Sequence, residues 1–582
     1  MVFRFLKKYW LFTILAPLFM IGEVYMDLLQ PRLMSTIVDE GVLGLSNNGH
    51  GSMDIIINTG LKMIMFVALG GLSGILSGVF ANLSAQNFSN DLRKSAFERI
   101  MSLSFEQTDK FSTGSLITRV TNDITQIQNL VMMSIRGFVR TFMLFGGGIF
   151  CMLTLDLSFG AVVFSALIPV AGIMTYFMLK VSPIFSVLQK KLDRLNTVMQ
   201  ENVGGARVVK AYVKEKYESF RFKDANDQLV SSQLKVLVLF AYMMPLLNIV
   251  LNLSVVAVIY VGGIKVSASS SVTPGNVMAA ITYVTQILNA VMRLSMIFQM
   301  VSRGSASIKR VNEVLETSPV IVDGKNSFEE NSKGRVEFKN VSFAYPQSGG
   351  EDNVLNHISF VINPGETVGI LGATGSGKTS LINLITRFYD ATEGEVLVNG
   401  VNVKDYKINT LRDKVAVALQ KSELFNVSIK ENISWGNPEA SDKDIEEAAD
   451  IGQATEFVRE KESGFDEIVA QKGMSLSGGQ KQRISISRAV IKNADILIFD
   501  DATSALDLKT EAKFYDALYT KYPQVTKIII AQRVASLRNA DRVMIIDNGT
   551  IADFDTIENL IKNSEIFIDI YNSQLKAGED NE

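Results

Sequence analysis

Cysteine is nearly absent from this chain: Cys151 stands alone in 582 residues, so no intramolecular disulfide can form. Only two histidines, His50 and His357, accompany it. That is too few for a Cys/His metal cluster, and the only metal to expect is one that arrives with a nucleotide. Charge of one sign is lacking too. A net charge of −3 and a sequence pI near 5.8 offer no basic excess for a phosphate backbone, so no nucleic-acid partner is expected. Charged residues make up 20% of the chain against 47% hydrophobic, with a mean hydropathy of +0.20. This is too apolar for an ordinary soluble protein and too charged for one lying wholly in a membrane.

The apolar excess is concentrated. Six runs occupy the first half: Trp10 to Leu29, Ile55 to Leu83, Leu130 to Leu155, Phe159 to Ile184, Val236 to Val266 and Val277 to Val301. Each reaches the roughly 20 residues that a helix needs to cross a bilayer. The first follows Arg4, Lys7 and Lys8 but has no small-residue cleavage pattern, so it reads as a retained span. The segment Lys190 to Lys235 carries about ten basic residues and Arg93 to Arg119 about five, whereas the links near Leu45 to Asp54, Asp156 to Ser158 and Ser267 to Asn276 carry none. Both termini are therefore expected in the cytoplasm, with spans two to five continuing inward as helices. Residues 1–317 form the expected membrane domain, and the polar stretch Ser318 to Gly334, with its run Glu329-Glu330-Asn331, the linker. Residues 335–582 alternate strand and helix patterns, as an α/β domain requires.

Within that second half, Gly372-Ala373-Thr374-Gly375-Ser376-Gly377-Lys378-Thr379 follows the apolar strand Val368 to Leu371. The spacing is that of a P-loop, in which backbone N–H groups cradle phosphate, Lys378 reaches the terminal phosphates and Thr379 ligates Mg²⁺. Ser380 joins the nucleotide-binding set. Asp500 ends a second apolar strand, Ile496 to Phe499, where a carboxylate can hold Mg²⁺. Between them lies Leu476-Ser477-Gly478-Gly479-Gln480, followed by Lys481-Gln482-Arg483.

That pentapeptide resembles the signature of the ATP-binding cassette (ABC) transporters. The resemblance covers essentially the whole chain: six spans with two long inner loops, then one cassette, are similar to an exporter-type half-transporter. It implies a multi-domain fold, an all-α transmembrane domain of six long helices followed by an α/β P-loop ATPase domain with a helical subdomain. In the family two cassettes pair head to tail, and each ATP lies between one P-loop and the other chain's signature. The resemblance further implies Tyr345 as the aromatic on adenine, Gln420 as the loop glutamine that senses Mg²⁺, and Ser504-Ala505-Leu506-Asp507 as the loop crossing to the partner. Asp507 thereby joins the nucleotide-binding set, and Thr379, Gln420 and Asp500 the metal set. Ser477, Gly478, Gly479 and Gln480 would act on ATP held by the partner.

Two positions depart from the family. Asp501 stands where the general base is usually glutamate, and Gln532 where a histidine is usual. Neither histidine of this chain can substitute. The expectation is a heterodimer in which this chain's own site is degenerate and its signature completes the site of a second half-transporter with glutamate and histidine at those places. A homodimeric exporter and an ATP-sensing regulatory subunit are the alternatives.

In the membrane half, Gln286, Asn289 and Arg293 share one helical face of the sixth run, and Asn248 and Asn252 one face of the fifth; these are the candidate cargo-cavity residues for a small lipophilic cargo, with hydrogen bonding between helices of the bundle the alternative role. Glu23 and Asp27 in the first run and Arg136 and Arg140 in the third are one turn apart, but counting depth from Trp10 puts the acids in the outer half and the arginines in the inner half, so no pairing is expected. Gly70-Gly71-Gly74 and Gly146-Gly147-Gly148 permit close helix approach. The resemblance implies that coupling segments lie at Ser112 to Ile124 and Val209 to Glu218. No peptidase-like segment precedes the first run, so coupled processing of a peptide cargo is not expected. The setting implied is a bacterial inner or plasma membrane, crossed several times, with the ATPase domain cytoplasmic.

Overall fold

A computed structural model describes residues 2–46, 48–268, 272–324, 332–346 and 353–579; the linker run Glu329-Glu330-Asn331 lies outside them. The chain divides into two compact units, residues 1–99 with 116–316 and residues 100–115 with 317–582.

The first unit is helical. Its six long apolar helices are span 1 (Arg4–Val42), span 2 (Met53–Ser102), span 3 (Thr113–Leu155), span 4 (Leu157–Gly204), span 5 (Glu215–Ser267) and span 6 (Pro274–Glu316). Spans 2 to 5 contain 43 to 53 residues, about twice what a bilayer needs. Span 1 runs on past Leu29 to Val42 through a π-helical last turn, Ile37–Val42. There Asp39 is buried and caps span 6: Oδ1 accepts from Gly275 N at 2.8 Å, Oδ2 from Thr273 Oγ1 at 2.5 Å and Ser35 Oγ at 3.1 Å. A carboxylate at this place satisfies orphan N–H groups and meets the positive end of the helix dipole. Met20, Val24, Leu28, Met152, Phe159 and Tyr283 build one core, and Ala16, Ala81, Ala85, Phe88, Ile124 and Ile127 another.

The expected separation of acids and arginines is corrected. Arg140 forms ion pairs with both Glu23 and Asp27, the latter at 3.3 Å. Depth counted from Trp10 misled, because the two helices are aligned at their outer ends. At about 1.5 Å per residue Glu23 lies ~28 Å below Val42 and Arg140 ~22 Å below Leu155, nearly level. Among the candidate cargo residues, Asn248, Asn252, Asn289 and Arg293 are exposed on their helices, and Asn252 bonds back to Asn248 O at 2.8 Å. Gln286 is half-buried, its Oε1 unpartnered among the described residues.

The second unit holds two sheets. One is antiparallel, in the order β2-β1-β4-β5, from β1 (Val336–Phe343), β2 (Leu355–Ile362), β4 (Glu393–Val398) and β5 (Val401–Asn402). The other has six strands in the order β10-β9-β3-β8-β7-β6, from β3 (Thr367–Leu371), β6 (Val415–Ala418), β7 (Ile496–Asp500), β8 (Thr526–Ile530), β9 (Arg542–Asp547) and β10 (Thr550–Asp555). Only β10 is antiparallel in it. Strands β3 and β7 are buried along their whole length, which is why their sequences are unbroken apolar runs rather than alternating ones. A helical subdomain packs around Ile429, Ile433, Phe457, Leu476 and Ile484.

The segment that packs on the cassette is the helix Phe105–Phe111, just before the stretch that the resemblance implied. Ser104 and Gln107 close its first turn reciprocally. Phe105 packs on Phe388 with ring centroids 4.7 Å apart, Tyr389 Oη donates to Asp109 at 2.7 Å, and Gln107 Nε2 donates to Ser318 O at 3.0 Å.

Candidate nucleotide site

Strand β3 delivers the chain into the P-loop, and the helix Lys378–Ile385 leaves it. The turn between them demands glycine at Gly375 and Gly377, whose φ values are +86° and +106°. A Cβ on Gly377 would also stand 2.6 Å from Leu355 Cδ2. Lys378 folds back over the loop, its Nζ donating to Gly372 O at 2.8 Å and Ala373 O at 2.7 Å. Desolvation pulls its ammonium below the usual lysine range, against the opposing pull of Asp500 and Asp501. A cation held partly out of water among backbone groups is a strong attractor for phosphate. Lys378→Ala is expected to weaken ATP binding by the purified chain at least ~10-fold, the loss of one charge-assisted contact; titration of a fluorescent ATP analogue checks it.

Opposite the loop, the C-terminal end of β7 presents two carboxylates. Thr379 Oγ1 donates to Asp500 Oδ2 at 3.1 Å. Burial raises the Asp500 carboxyl above its ordinary range, and the Thr379 bond works against that rise. Hydroxyl and carboxylate thus meet at the mouth of the P-loop. These two and the amide oxygen of Gln420 would supply an all-oxygen donor set, which suits Mg²⁺, an ion that completes its shell with water and phosphate.

Asp501 is held differently. Its backbone is left-handed, φ +48°, and its N–H donates to Ile530 O at 3.0 Å. Aspartate tolerates this conformation better than most residues. Both Gln420 Nε2, at 3.2 Å, and Gln532 Nε2, at 2.8 Å, donate to the same oxygen, Oδ2. Burial raises the Asp501 carboxyl, and the two amides oppose that rise. Gln532 is itself anchored by a residue that sequence reasoning missed. Gln574, on the last helix, donates to Gln532 O at 2.8 Å and accepts from Val534 N at 2.8 Å. No spacing rule links positions 42 residues apart, so only the fold discloses this clamp.

The signature opens a helix, Gly478–Val490. Ser477 is its N-cap: Oγ accepts from Gln480 N at 3.3 Å, and Gln480 Oε1 accepts from Ser477 N at 3.0 Å. Ser477 and Gly478 are exposed, and Gly479 and Gln480 half-buried. Among the described residues no hydrogen bond joins these four to the P-loop. A second residue missed from sequence is Gln482, which is buried one turn further on. Its Oε1 accepts from Ala505 N at 2.8 Å and its Nε2 donates to Ser504 Oγ at 3.1 Å, tying the signature helix to the loop after Asp501. Asp507 ends that loop as an exposed N-cap, accepting from Thr510 N and Oγ1, and its bonds to Thr510 lower its carboxyl.

Tyr345 is half-buried. Its hydroxyl pairs with Ser380 Oγ at 2.9 Å, and its ring stands edge-on to Phe343 and Tyr389. Gly372, Thr374, Gly375, Ser376, Gly377, Lys378, Thr379, Ser380, Gln420, Asp500, Asp501 and Gln532 thus meet at one end of the parallel sheet, while Ser477 to Gln480 stand apart on the helical subdomain.

Residues 13–291 match the family profile described as ABC transporter transmembrane region, and residues 355–504 the one described as ABC transporter. YfiB of Bacillus subtilis, an uncharacterized ABC transporter ATP-binding protein, is 35% identical over 570 residues, which cover 98% of this chain and 97% of that one. The ATP-dependent lipid A-core flippase of Syntrophus aciditrophicus is 31% identical over 515 residues, 88% of this chain and 85% of that one. A solved structure of a bacterial Atm1-family ABC exporter with ATP bound shares the fold, with a TM-score of 0.78 over 98% of both chains at 24% identity. Cassette, signature and six long apolar helices are thus matched along nearly the full length, and the chain belongs to the ABC transporter family as a multi-pass membrane protein carrying one ATP-binding cassette.

Proposed function

We propose that this chain is one half of an ATP-driven exporter that pairs with a different half-transporter, its own ATP site binding nucleotide but turning it over slowly. The observation that carries this reading is the fate of the Asp501 carboxylate: one oxygen is shared by two neutral amides, Gln420 and Gln532. A general base must come within about 2.6 to 3.2 Å of the proton it takes, and losing a positioned acid-base group costs a factor of about 10² to 10⁴. Asp501 is one methylene shorter than the usual glutamate, and its Oδ2 already accepts from both amides. Gln532 can donate a hydrogen bond but cannot accept a proton.

The binding half of the site is intact. Lys378, the P-loop amides, Thr379 and Asp500 are the residues that would hold ATP with Mg²⁺, whose bound charge neutralises phosphate oxygens. On this reading Ser477 to Gln480, exposed and helix-capped, complete the catalytic site of the partner, which has glutamate and histidine at the two altered positions. Export of a lipophilic cargo is supported by the flippase relative and by the exporter fold. The basic inner loops support a cytoplasmic cassette and cytoplasmic termini.

The test is ATP turnover by the chain purified with its partner. Asp501→Ala is expected to leave turnover within about twofold, while replacing the partner's catalytic glutamate with glutamine abolishes it. Equal damage from both, or substantial turnover by this chain alone, would make Asp501 a working base and favour a homodimer.

A further inference from the structure

An open cleft of about 530 Å³ lies between spans 1, 2 and 3, within the size range of small-molecule sites. Span 1 contributes Glu23 and Asp27, and span 3 Arg136 and Arg140. Span 2 faces them with glycine. Arg140 bridges the two acids, yet Glu23 Oε2 and Arg140 Nε are buried with no hydrogen-bond partner. The Glu23 side chain is 12% exposed. Its Oε2 lies 2.7 Å from where a Cβ on Gly74 would stand, and Arg136 Nη1 lies 3.3 Å from the equivalent point on Gly78. The glycines therefore give both charged tips room and supply neither with a side-chain partner. Arg136 sits in a π-helical segment, Met133–Phe138, and has no ion pair or hydrogen bond from its guanidinium among the described residues. π-Helical turns inside α-helices recur at functional positions.

Ionisable groups inside a membrane are costly unless they are paired or serve a ligand. The lining is neutral overall, two carboxylates against two guanidinium groups, but charges of both signs lack a full set of partners: Glu23 Oε2, the second oxygen of the 42% exposed Asp27, and the Arg136 guanidinium. A simple cation would leave Arg136 unmatched, and a simple anion would leave Glu23. A second cavity of about 210 Å³ shares Arg136 and Arg140 and is otherwise bounded by side chains such as Ala81, Met132 and Met133, so apolar space adjoins the charged space.

We propose that this cavity binds a zwitterion carrying an amine and a phosphate, with the ammonium on Glu23 and the phosphate on Arg136. The adjoining apolar cavity favours an amphiphile, a phospholipid headgroup with its tail alongside, over a free zwitterion. Binding here is independent of whether the chain is half of an exporter.

Native mass spectrometry of the full chain in detergent tests the proposal, with phosphatidylethanolamine, phosphatidylglycerol and free phosphoethanolamine as probes. Phosphatidylethanolamine is expected to be retained at about tenfold lower concentration than phosphatidylglycerol; Glu23→Gln should erase that advantage, and Arg136→Ala should weaken retention of both lipids. Gly71→Leu is the complementary variant. It also lines the cleft, a Cβ there meets nothing within 4 Å, and leucine favours the helix, so the larger side chain is expected to narrow the cleft. It should lower retention with unchanged chromatographic elution. Variant-sensitive binding of free phosphoethanolamine at equal strength keeps the site and assigns it a soluble ligand. Retention indifferent to all three variants, or phosphatidylglycerol binding as tightly with Glu23→Gln silent, overturns the proposal.

Discussion

Asp501→Glu combined with Gln532→His is expected to raise ATP turnover at this chain's own site about 10²-fold, the low end of what a positioned acid-base group contributes, in the complex with a partner whose catalytic glutamate is replaced by glutamine. On the proposed reading the missing methylene leaves the carboxylate short of an attacking water, and Gln532 Nε2 donates to it at 2.8 Å. Glutamate extends the reach, and histidine restores a group that can carry a proton charge. Two costs temper the gain. The Asp501 backbone is left-handed, φ +48°, and a longer side chain tolerates it less well by about 1 kcal/mol. Gln420 also remains in place to donate to the new carboxylate. The single change Asp501→Glu is expected to deliver most of the effect, with Gln532→His alone nearly silent because no base follows it. Steady-state phosphate release measures all three. Turnover within threefold of wild type in the double variant would locate the slow step elsewhere than in the missing base.

Asp123→Ala is expected to destabilise the membrane unit by about 2–4 kcal/mol. Asp123, with a side chain 4% exposed, accepts from Ser307 Oγ at 2.9 Å and Arg310 Nε at 2.7 Å, and joins the lower part of span 3 to that of span 6. Removing it leaves the buried Ser307 hydroxyl without its acceptor. Arg310 is about half exposed, so water recovers part of its loss and the full cost of a stranded buried charge does not apply. The thermal midpoint of the detergent-solubilised chain should fall by roughly 5 °C, and Asp123→Asn, which keeps one acceptor, should recover about half. An unchanged midpoint for the alanine variant would show that the span 3 to span 6 link is carried by packing alone.

The cassette was legible in the sequence wherever chemistry is local. Gly372 to Thr379 and the run Ile496 to Asp500 owe their function to neighbours a few residues apart, so spacing alone disclosed a phosphate cradle and a carboxylate at a strand end. Departures at Asp501 and Gln532 were visible for the same reason. The geometry that gives them meaning was not. Gln420 and Gln532 reach Asp501 from 81 and 31 residues away, and Gln482 and Gln574 are unremarkable in composition and become structural ties only through the fold.

The membrane half divides in the same way. Hydropathy by itself determined that six helices are long and apolar enough to cross a bilayer, because crossing is a matter of length and transfer free energy summed along one segment. It did not determine where span 1 ends, and so placed Glu23 far from Arg140. Depth in a bundle is a property of how helices are aligned with one another, and the capping of span 6 by Asp39 at the far end of span 1 is a contact between residues more than 230 apart. Only the tertiary structure could set that alignment, and with it decide that two acids and two arginines share one cavity against a wall of glycine.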